Sequence, residues 1–520
     1  MDRRAAANLL ISLDPGTGGG LQQQIYIGIR RGILDGTLRP GTRIPSSRAL
    51  ATDLGVSRTT TLSALEQLQA EGYLDTLHGS GTFVARELPD DLPHGAPSRE
   101  AVSPDRPPLS RRGAALAAIR PSARPIVGPP RAFRIGVPAI DLFPIRVWSQ
   151  LVSRRVRSLT SVQLDYGQAG GLRALREAIA DHVRTARGTH CDADQIHVVG
   201  GAQRGLDLVC RLLLDPGDPA LMEEPGYPGA WSALVGAGAD IVPVRVDEEG
   251  LDVEAGAQRE GVRLAYVTPS HQFPLGVPMS LPRRLALLKW ARASRAWVVE
   301  DDYDSEFRYG APPIPCLHGL DSDGRVIYVG SFSKSLAPAL RLGFLIVPPD
   351  LQDRLLAARR SNVDPQPPFL DQAVLADFIE GGHFARHLRR VRVAYRERLE
   401  ALTSAAERFC AGSMRLRPVS TGLHAVADLN GADARRVFDE AMTLGVEVMP
   451  LSAYVFGRER AANALVLGFG AVGPEAVSRG MKALAAAIEE ERKYGRPNAQ
   501  RRRPIPAPLH DSVGTTSRSG

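Results

Sequence analysis

Lysine is nearly missing from this chain. Of 64 basic residues in 520, four are lysines (Lys289, Lys334, Lys482 and Lys493), and the rest are arginines. Arginine stays protonated at working pH, so chemistry that needs a neutral amine has four places to occur. Cysteine is scarce too. Cys191, Cys210, Cys316 and Cys410 are far apart, with no Cys-x-x-Cys pair and no histidine at ligand spacing beside them. That argues against a disulfide scaffold and a structural zinc site, and buried reduced thiols with no metal are expected. No stretch approaches the roughly 18 apolar residues of a membrane span. Met1–Leu13 places Arg3 and Arg4 ahead of a short apolar run, but no small-x-small cleavage site follows and Asp14-Pro15 opens a turn. A cytoplasmic protein with no membrane association is expected. Aromatics are few at 6%, whereas 43% hydrophobic and 23% charged residues suit a globular chain with ample core.

The formal net charge is +7, and its location matters more than its size. From Arg492 to Gly520 there are seven cations against one acid, Asp511. Most of the excess is therefore in a tail, read as a solvated end. Residues 1–87 hold nine arginines against eight acids, so nucleic-acid affinity there must come from placement rather than bulk charge.

The chain divides into an N-terminal arm (1–20), a patterned unit (21–86), a linker (87–130), a large unit (131–490) and a basic, disordered tail (491–520). The linker carries ten prolines. Proline removes backbone donors and fixes φ, so neither helix nor sheet propagates. A short helical patch is expected near Ala114–Ile119.

In the first unit, Leu21, Ile25, Ile29 and Ile33 recur every four residues and predict a helix. Ser46 is placed to cap a second helix through Leu54, and Ser57 a third whose core face is Leu62, Leu65 and Leu68. Tyr73-Leu74, a turn at 78–81 and Thr82–Val84 make a β-hairpin. Three helices and a hairpin form a winged helix-turn-helix. In that geometry the start of the third helix enters the major groove, presenting Ser57, Arg58, Thr59 and Thr60, and the wing offers His78 and Gly79.

In the large unit, strand-like runs at 195–200, 220–223, 240–246, 264–268, 296–300, 325–329 and 342–347 alternate with helical stretches. This predicts an α/β domain with a mainly parallel sheet, whose ligands bind at the carboxyl ends of strands. Asp301, Asp302 and Tyr303 follow one strand, Ser331, Ser333 and Lys334 another, and Ala202-Gln203 open a helix after a third. A strand-end acid, a lysine amine between hydroxyls and a helix N-terminus suit an aldehyde cofactor with a pyridine nitrogen and a phosphate. They describe a pyridoxal 5′-phosphate (PLP) site. Asp301, Asp302 and Asp304 are equal candidates for the nitrogen partner on this ground alone.

Two sets of motifs carry a resemblance. Gly41-Thr42-Arg43-Ile44-Pro45-Ser46-Ser47-Arg48-Ala49-Leu50-Ala51, Gly55-Val56-Ser57-Arg58-Thr59-Thr60 and Glu71-Gly72-Tyr73-Leu74 resemble the DNA-binding domain of GntR regulators over about 65 residues. Glu224-Pro225-Gly226-Tyr227-Pro228-Gly229, Thr268 to Pro274, Glu300 to Tyr309 and Gly330-Ser331-Phe332-Ser333-Lys334 with Arg341-Leu342-Gly343 resemble fold-type I aminotransferases. Together they resemble the MocR-type branch of GntR regulators, and within it the PdxR-like regulators of vitamin B6 synthesis or salvage.

The resemblance implies a fold and a set of partners. A winged helix-turn-helix would be linked to a fold-type I PLP-binding domain, the latter a mainly parallel sheet with a small C-terminal α+β subdomain. Arg48, Arg58, Thr59, Thr60, His78 and Gly79 would contact double-stranded operator DNA. Lys334 would form the Schiff base with PLP, Asp301 would pair with the pyridine nitrogen, Tyr303 would bond the phenolic oxygen and Tyr227 would stack on the ring. Ser331, Ser333, Arg341 and the backbone N–H groups of Ala202 and Gln203 would bind the phosphate. A homodimer answering to a small-molecule effector, PLP or an amine, is implied. Two departures stand out. Aminotransferases show Asn-Pro-Thr-Gly where this chain has Phe273-Pro274-Leu275-Gly276, with His271 and Gln272 as substitutes for that Asn. They also carry an arginine for the substrate carboxylate where this chain has Val466. A non-enzymatic regulator is therefore expected. The alternatives are a working aminotransferase with a DNA-binding appendage, a regulator answering to an amino acid through PLP, and a cofactor-free dimerisation scaffold.

Overall fold

Apolar residues spaced for one helix face build the N-terminal unit in the computed structural model. The structure describes Leu13 and residues 20–77, 80–88, 108–119, 128–310, 315–361, 366–456 and 462–494. They fall into two compact units divided between Pro107 and Pro108.

In the first unit, helix Leu21–Leu34 buries Ile25, Ile29 and Ile33. Ser46 and Ser57 cap the helices Ser47–Leu54 and Arg58–Ala70, their hydroxyls accepting from the Ala49 and Thr60 amides at 3.2 and 3.1 Å. The third helix differs from expectation: Leu62 is 39% exposed, and Thr61 and Ala64 are buried with Leu65 and Leu68. Thr61 is tolerated inside because its hydroxyl donates to the Ser47 and Arg58 carbonyls, tying the two helices together. Strands β1 (Arg43–Ile44), β2 (Leu74–Leu77) and β3 (Gly81–Val84) form an antiparallel sheet ordered β1-β3-β2. The hairpin expectation omitted β1.

In the second unit, helix Arg111–Ala118 packs on helix Pro228–Ala237, so part of the proline-rich segment belongs with the large domain. The main sheet comprises β4 (Ile196–Val199), β5 (Pro219–Glu224), β6 (Asp240–Asp247), β7 (Gly250–Leu251), β8 (Leu264–Val267), β9 (Trp297–Asp302), β10 (Val326–Ser331) and β11 (Gly343–Ile346). Their order is β4-β11-β10-β9-β8-β5-β6-β7. The run β10-β9-β8-β5-β6 is parallel. β11 is antiparallel to both β10 and β4, and β7 to β6. Because β4 and β10 both oppose β11, the carboxyl ends of β4, β10, β9, β8 and β5 share one edge. Helices on both faces bury the near-continuous apolar strands.

A second, antiparallel sheet holds β12 (Met414–Leu416), β13 (His424–Leu429), β14 (Met449–Pro450) and β15 (Ala464–Gly468), ordered β12-β13-β15-β14. It packs with helices His383–Cys410 and Pro474–Tyr494. Residues 132–136 attach there as well: Phe133 bridges to Gly468, and the Glu447 amide donates to the Ala132 carbonyl at 3.0 Å. This strap crosses the edge of the main sheet.

Glycines allow the backbones to converge at that edge. A Cβ on Gly343 would meet Gly330 O at 2.9 Å and the Gly201 Cα and carbonyl carbon at 3.0 Å, all backbone atoms that cannot swing aside. Gly343→Ala is expected to cost about 1–3 kcal/mol through overpacking, seen as a lower Tm in thermal denaturation of the purified protein.

Candidate functional site

The strand ends and the strap enclose a cavity of about 530 Å³, within the range of small-molecule sites. Its wall includes Gly136, Ala202, Gln203, Tyr227, Asp301, Tyr303, Asp304, Ser331, Ser333, Lys334 and Arg341. The nine cofactor-contacting positions read from sequence are therefore all brought to one cavity.

Each arrives for a local reason. Asp301 is near the end of β9, buried, and its Oδ2 accepts from the Tyr266 hydroxyl at 2.8 Å. Its other oxygen, Oδ1, is buried without a hydrogen-bond partner. Burial, reinforced by Asp302 and Asp304, pushes Asp301 up to about 7, against the opposing Tyr266 bond and Lys334 charge. Asp302 points elsewhere: its Oδ2 takes the Tyr328 hydroxyl at 2.7 Å and the buried Arg187 guanidinium at 2.6 Å. Asp304 is held by His271, whose Nδ1 lies 3.0 Å from Oδ2. Geometry thus separates three acids that spacing left equal: Asp301 alone lines the cavity with an unengaged carboxylate oxygen.

Lys334 follows β10 and Ser331-Phe332-Ser333. Its Nζ donates to the Gly136 carbonyl on the strap at 2.6 Å. Burial lowers its pKa, partly opposed by Asp304 and Asp301, which favours the neutral amine that a nucleophile needs. Gly136 has φ of +78°, and a Cβ there would sit 3.2 Å from Nζ. Ser331 Oγ accepts from the Ser333 amide at 3.1 Å. Arg341 stands before β11 at φ of +49°, and the helix Ala202–Leu213 starts beside it after Gly201. Two hydroxyls, a guanidinium and a helix N-terminus form an anion cradle. The half-partnered acid, the amine and this cradle, all lining one cavity, fit PLP.

Tyr303's hydroxyl donates to the His271 carbonyl at 2.9 Å and lies 3.0 Å from His271 Nδ1. Tyr227 borders the cavity with its ring edge-on to Phe273, centroids 5.8 Å apart. The proposed substitutes for the missing Asn are placed differently. Gln272 turns its amide to the carbonyls of Pro225 and Phe273, at 2.9 and 2.7 Å, and is not in the wall. His271 is not in the wall itself but backs three residues that are, Tyr303, Asp304 and His424. His271, Asp304 and His424 bring donor atoms within 4.8 Å of one another, the one such group among the described residues. Those of His271 and Asp304 are spent on each other, and His424 Nε2 is 3.0 Å from the Pro274 carbonyl.

Sequence reasoning missed Arg134 and Glu447. Both line the cavity, and they pair with each other: Arg134 Nη2 donates to Glu447 Oε1 at 2.8 Å, and Nε to Oε2. No strand-end rule marks them, because they meet across the strap and the second sheet, 313 residues apart. Val466 is fully buried, paired with Met449 and Val426 across its sheet.

In the N-terminal unit, Arg48, Ser57, Arg58 and Thr59 are exposed at the facing ends of the second and third helices. Thr60 is half-buried, its hydroxyl 2.7 Å from that of Ser57. His78 and Gly79 lie outside the described residues.

Comparison with known proteins accords with both halves. Residues 21–84 match the gntR family of bacterial regulatory proteins, and residues 141–460 match aminotransferase class I and II. The chain is 40% identical over 471 residues to a probable rhizopine catabolism regulatory protein, MocR, of Rhizobium meliloti, covering 90% of this chain and 94% of that one. It is 34% identical to the pyridoxine biosynthesis transcriptional regulator PdxR of Corynebacterium glutamicum, over 89% of this chain and 95% of the relative. Among solved structures, the α-aminoadipate aminotransferase LysN of Thermus thermophilus, complexed with a phosphopyridoxyl-leucine, matches with a TM-score of 0.64 and 31% identity, covering 70% of this chain and 92% of that one. These matches define a GntR-type transcriptional regulator fused to an aminotransferase fold. The chain belongs to the MocR-type family of such regulators.

Burial raises three carboxyls, Glu223, Asp301 and Glu306, to about 7. A raised acid binds more protons folded than unfolded, so stability falls as pH rises from about 4 through about 7. In the apoprotein, Asp301→Asn should remove its share of that loss. It is expected to be more stable than wild type at pH 8, by on the order of 3 kcal/mol, with little difference at pH 4, in denaturant titrations at the two pH values.

Proposed function

We propose that the large domain binds PLP through Lys334 and Asp301 and reports its occupancy to the DNA-binding unit, so that the chain regulates genes of vitamin B6 metabolism. The supporting observation is the buried, unpartnered Oδ1 of Asp301 in the cavity that holds the Lys334 amine. A carboxylate taken out of water without a partner is costly, and a protonated pyridine nitrogen supplies one. The cofactor would bring that cation, an aldehyde for Lys334, and a phosphate for Ser331, Ser333, Arg341 and the amides of Ala202 and Gln203. Tyr227 would cover the ring and Tyr303 would meet its phenolic oxygen. The name of the Corynebacterium relative supports the vitamin B6 assignment, and Val466 supports a regulator over an efficient enzyme: where aminotransferases place a carboxylate-binding arginine, this side chain is apolar and buried.

Arg48, Ser57, Arg58, Thr59 and Thr60, with His78 and Gly79, would meet double-stranded operator DNA. Ligand and DNA would be linked by population shift, the ligand favouring one arrangement of the DNA-binding units. A homodimer is proposed too. In support, several large apolar side chains are exposed between residues 140 and 166, among them Ile145, Val162, Leu164 and Tyr166, and a second copy would cover them.

Borohydride reduction of the PLP-loaded protein is expected to tag the Lys334 peptide and no other, and Lys334→Ala should abolish the tag. Genome-wide binding maps made with and without PLP should differ for wild type and coincide for Lys334→Ala; identical wild-type maps would sink the sensor. Multiple rapid turnovers with amino donors and keto acids would favour an enzyme instead. Light scattering should give twice the 56.0 kDa chain mass.

A further inference from the structure

Three cations border the cavity among the described residues: Lys334, Arg341 and Arg134. With PLP in the proposed place, the first two are committed to it. Arg134 is left to face whatever else enters, and a guanidinium is the usual handle for a carboxylate. Here that handle is already taken. Nε and Nη2 donate to the two oxygens of Glu447, Nη1 to the Gly128 carbonyl at 3.2 Å, and Nη2 also to the Pro129 carbonyl at 3.4 Å. A guanidinium has five N–H groups, so one remains.

Glu447 cannot readily step aside. Its side chain is 2% exposed, against 14% for Arg134. Its backbone is tied to Ala132, and that of Arg134 is wedged against Gly468, where a Cβ would sit 2.3 Å from the Arg134 carbonyl oxygen. A competing carboxylate would have to draw Arg134 off Glu447, leaving that buried charge to the largely exposed Arg131, whose Nε lies 4.0 Å from Oε1. The adjoining wall is apolar: Ile135, Phe273, Met449 and Tyr454 pack with the buried Val466.

We propose that Glu447 is a specificity-determining residue: by neutralising Arg134 it restricts a second ligand of the PLP-loaded pocket to primary amines without a carboxylate, carrying an apolar substituent. This rests on the PLP assignment. With PLP held by Lys334, the ligand's amine would replace the lysine nitrogen on the cofactor's imine carbon: the new C–N bond would form as the bond to lysine broke, and the two amine hydrogens would pass to the lysine nitrogen, with no oxidant and no net water.

The test is calorimetric titration of the full-length, PLP-loaded protein with 3-methylbutylamine and with L-leucine, which share a side chain and differ by the carboxylate. Borohydride tagging of Lys334 in a separate aliquot establishes loading, so a missing tag fails the cofactor assignment, whereas a wrong preference with the tag present fails this proposal alone. Wild type is expected to bind the amine about tenfold more tightly or better. Glu447→Gln, which removes the charge that neutralises Arg134 while keeping one acceptor oxygen, should tighten L-leucine about tenfold and leave the amine within about threefold. Arg134→Gln combined with Glu447→Gln should restore the wild-type preference. Equal or tighter binding of L-leucine by wild type, binding of neither probe, or a folded Glu447→Gln protein with an unchanged ratio would overturn the proposal. Should Glu447→Gln fail to fold, the wild-type preference and its retention in an Arg134→Leu, Glu447→Leu protein decide the matter.

Discussion

Desolvation of ionisable groups at one edge of the large sheet governs the rest of the structure. Parallel strands bring their carboxyl ends together, and there the chain buries Glu223, Asp301, Asp304 and the Lys334 amine within one small region. Most of these groups have partners: Thr268 and Gln272 bond Glu223, and His271 bonds Asp304. Asp301 is half-satisfied, by Tyr266 alone. A fold that keeps such a deficit holds it as a cost that a complementary ligand relieves. On the proposed reading, that cost is also what would let occupancy matter, because a ligand shifts a conformational equilibrium only through its unequal affinity for the two states. An electrostatic deficit present in one arrangement and relieved in another is a physical source of that inequality.

Much of this was legible in the sequence, for definite reasons. Caps at Ser46 and Ser57, period-four isoleucines and turn glycines act locally, so the helices of the N-terminal unit followed from neighbours in the chain. Strand ends bear chemistry in α/β sheets, so Asp301, Ser331 and Lys334 could be singled out before any contact was known. The spacing of Leu62, Leu65 and Leu68 points Leu62 to the core, yet Thr61 and Ala64 turn inward, because the Thr61 hydroxyl finds carbonyl partners on both helices. Asp301, Asp302 and Asp304 could not be told apart by composition, since only partners such as Arg187 and His271 distinguish them. Arg134 and Glu447 were invisible for a related reason: their roles arise where the strap crosses the second sheet, a contact without a local signature. The antiparallel β11 was likewise hidden, because an apolar run reads alike in either direction.

The N-terminal unit sets a different problem. Its arginines and acids nearly balance, so counterion release offers little undirected attraction to DNA. Arg48 and Arg58 stand at the ends of two helices locked by Thr61, and their value lies in being held at fixed positions. Two such units in a homodimer would double the directed contacts without raising the charge of either. Under that arrangement the spacing between units, rather than the affinity of one, becomes the quantity that ligand occupancy can adjust.

The Arg134 side of the cavity bears on how an aminotransferase fold could serve as the proposed sensor. Turnover of amino acids demands that a carboxylate be gripped, so that the bond to be broken is oriented over the ring, and then released. In this chain the two places where such a grip could form are closed in different ways. Val466 has no charge to offer, and Arg134 has a charge already neutralised by Glu447. Phe273, where an amide would help hold the cofactor's oxygen, instead packs edge-on against Tyr227, Tyr303 and Tyr454. The groups that would hold the cofactor on the proposed reading thus line one cavity, while Val466 and the Arg134–Glu447 pair would not orient an amino acid on it. On the proposed reading, a pocket of that kind would keep the means to bind and lose the means to turn over quickly, the combination a switch requires, since a signal consumed by its receptor would not persist.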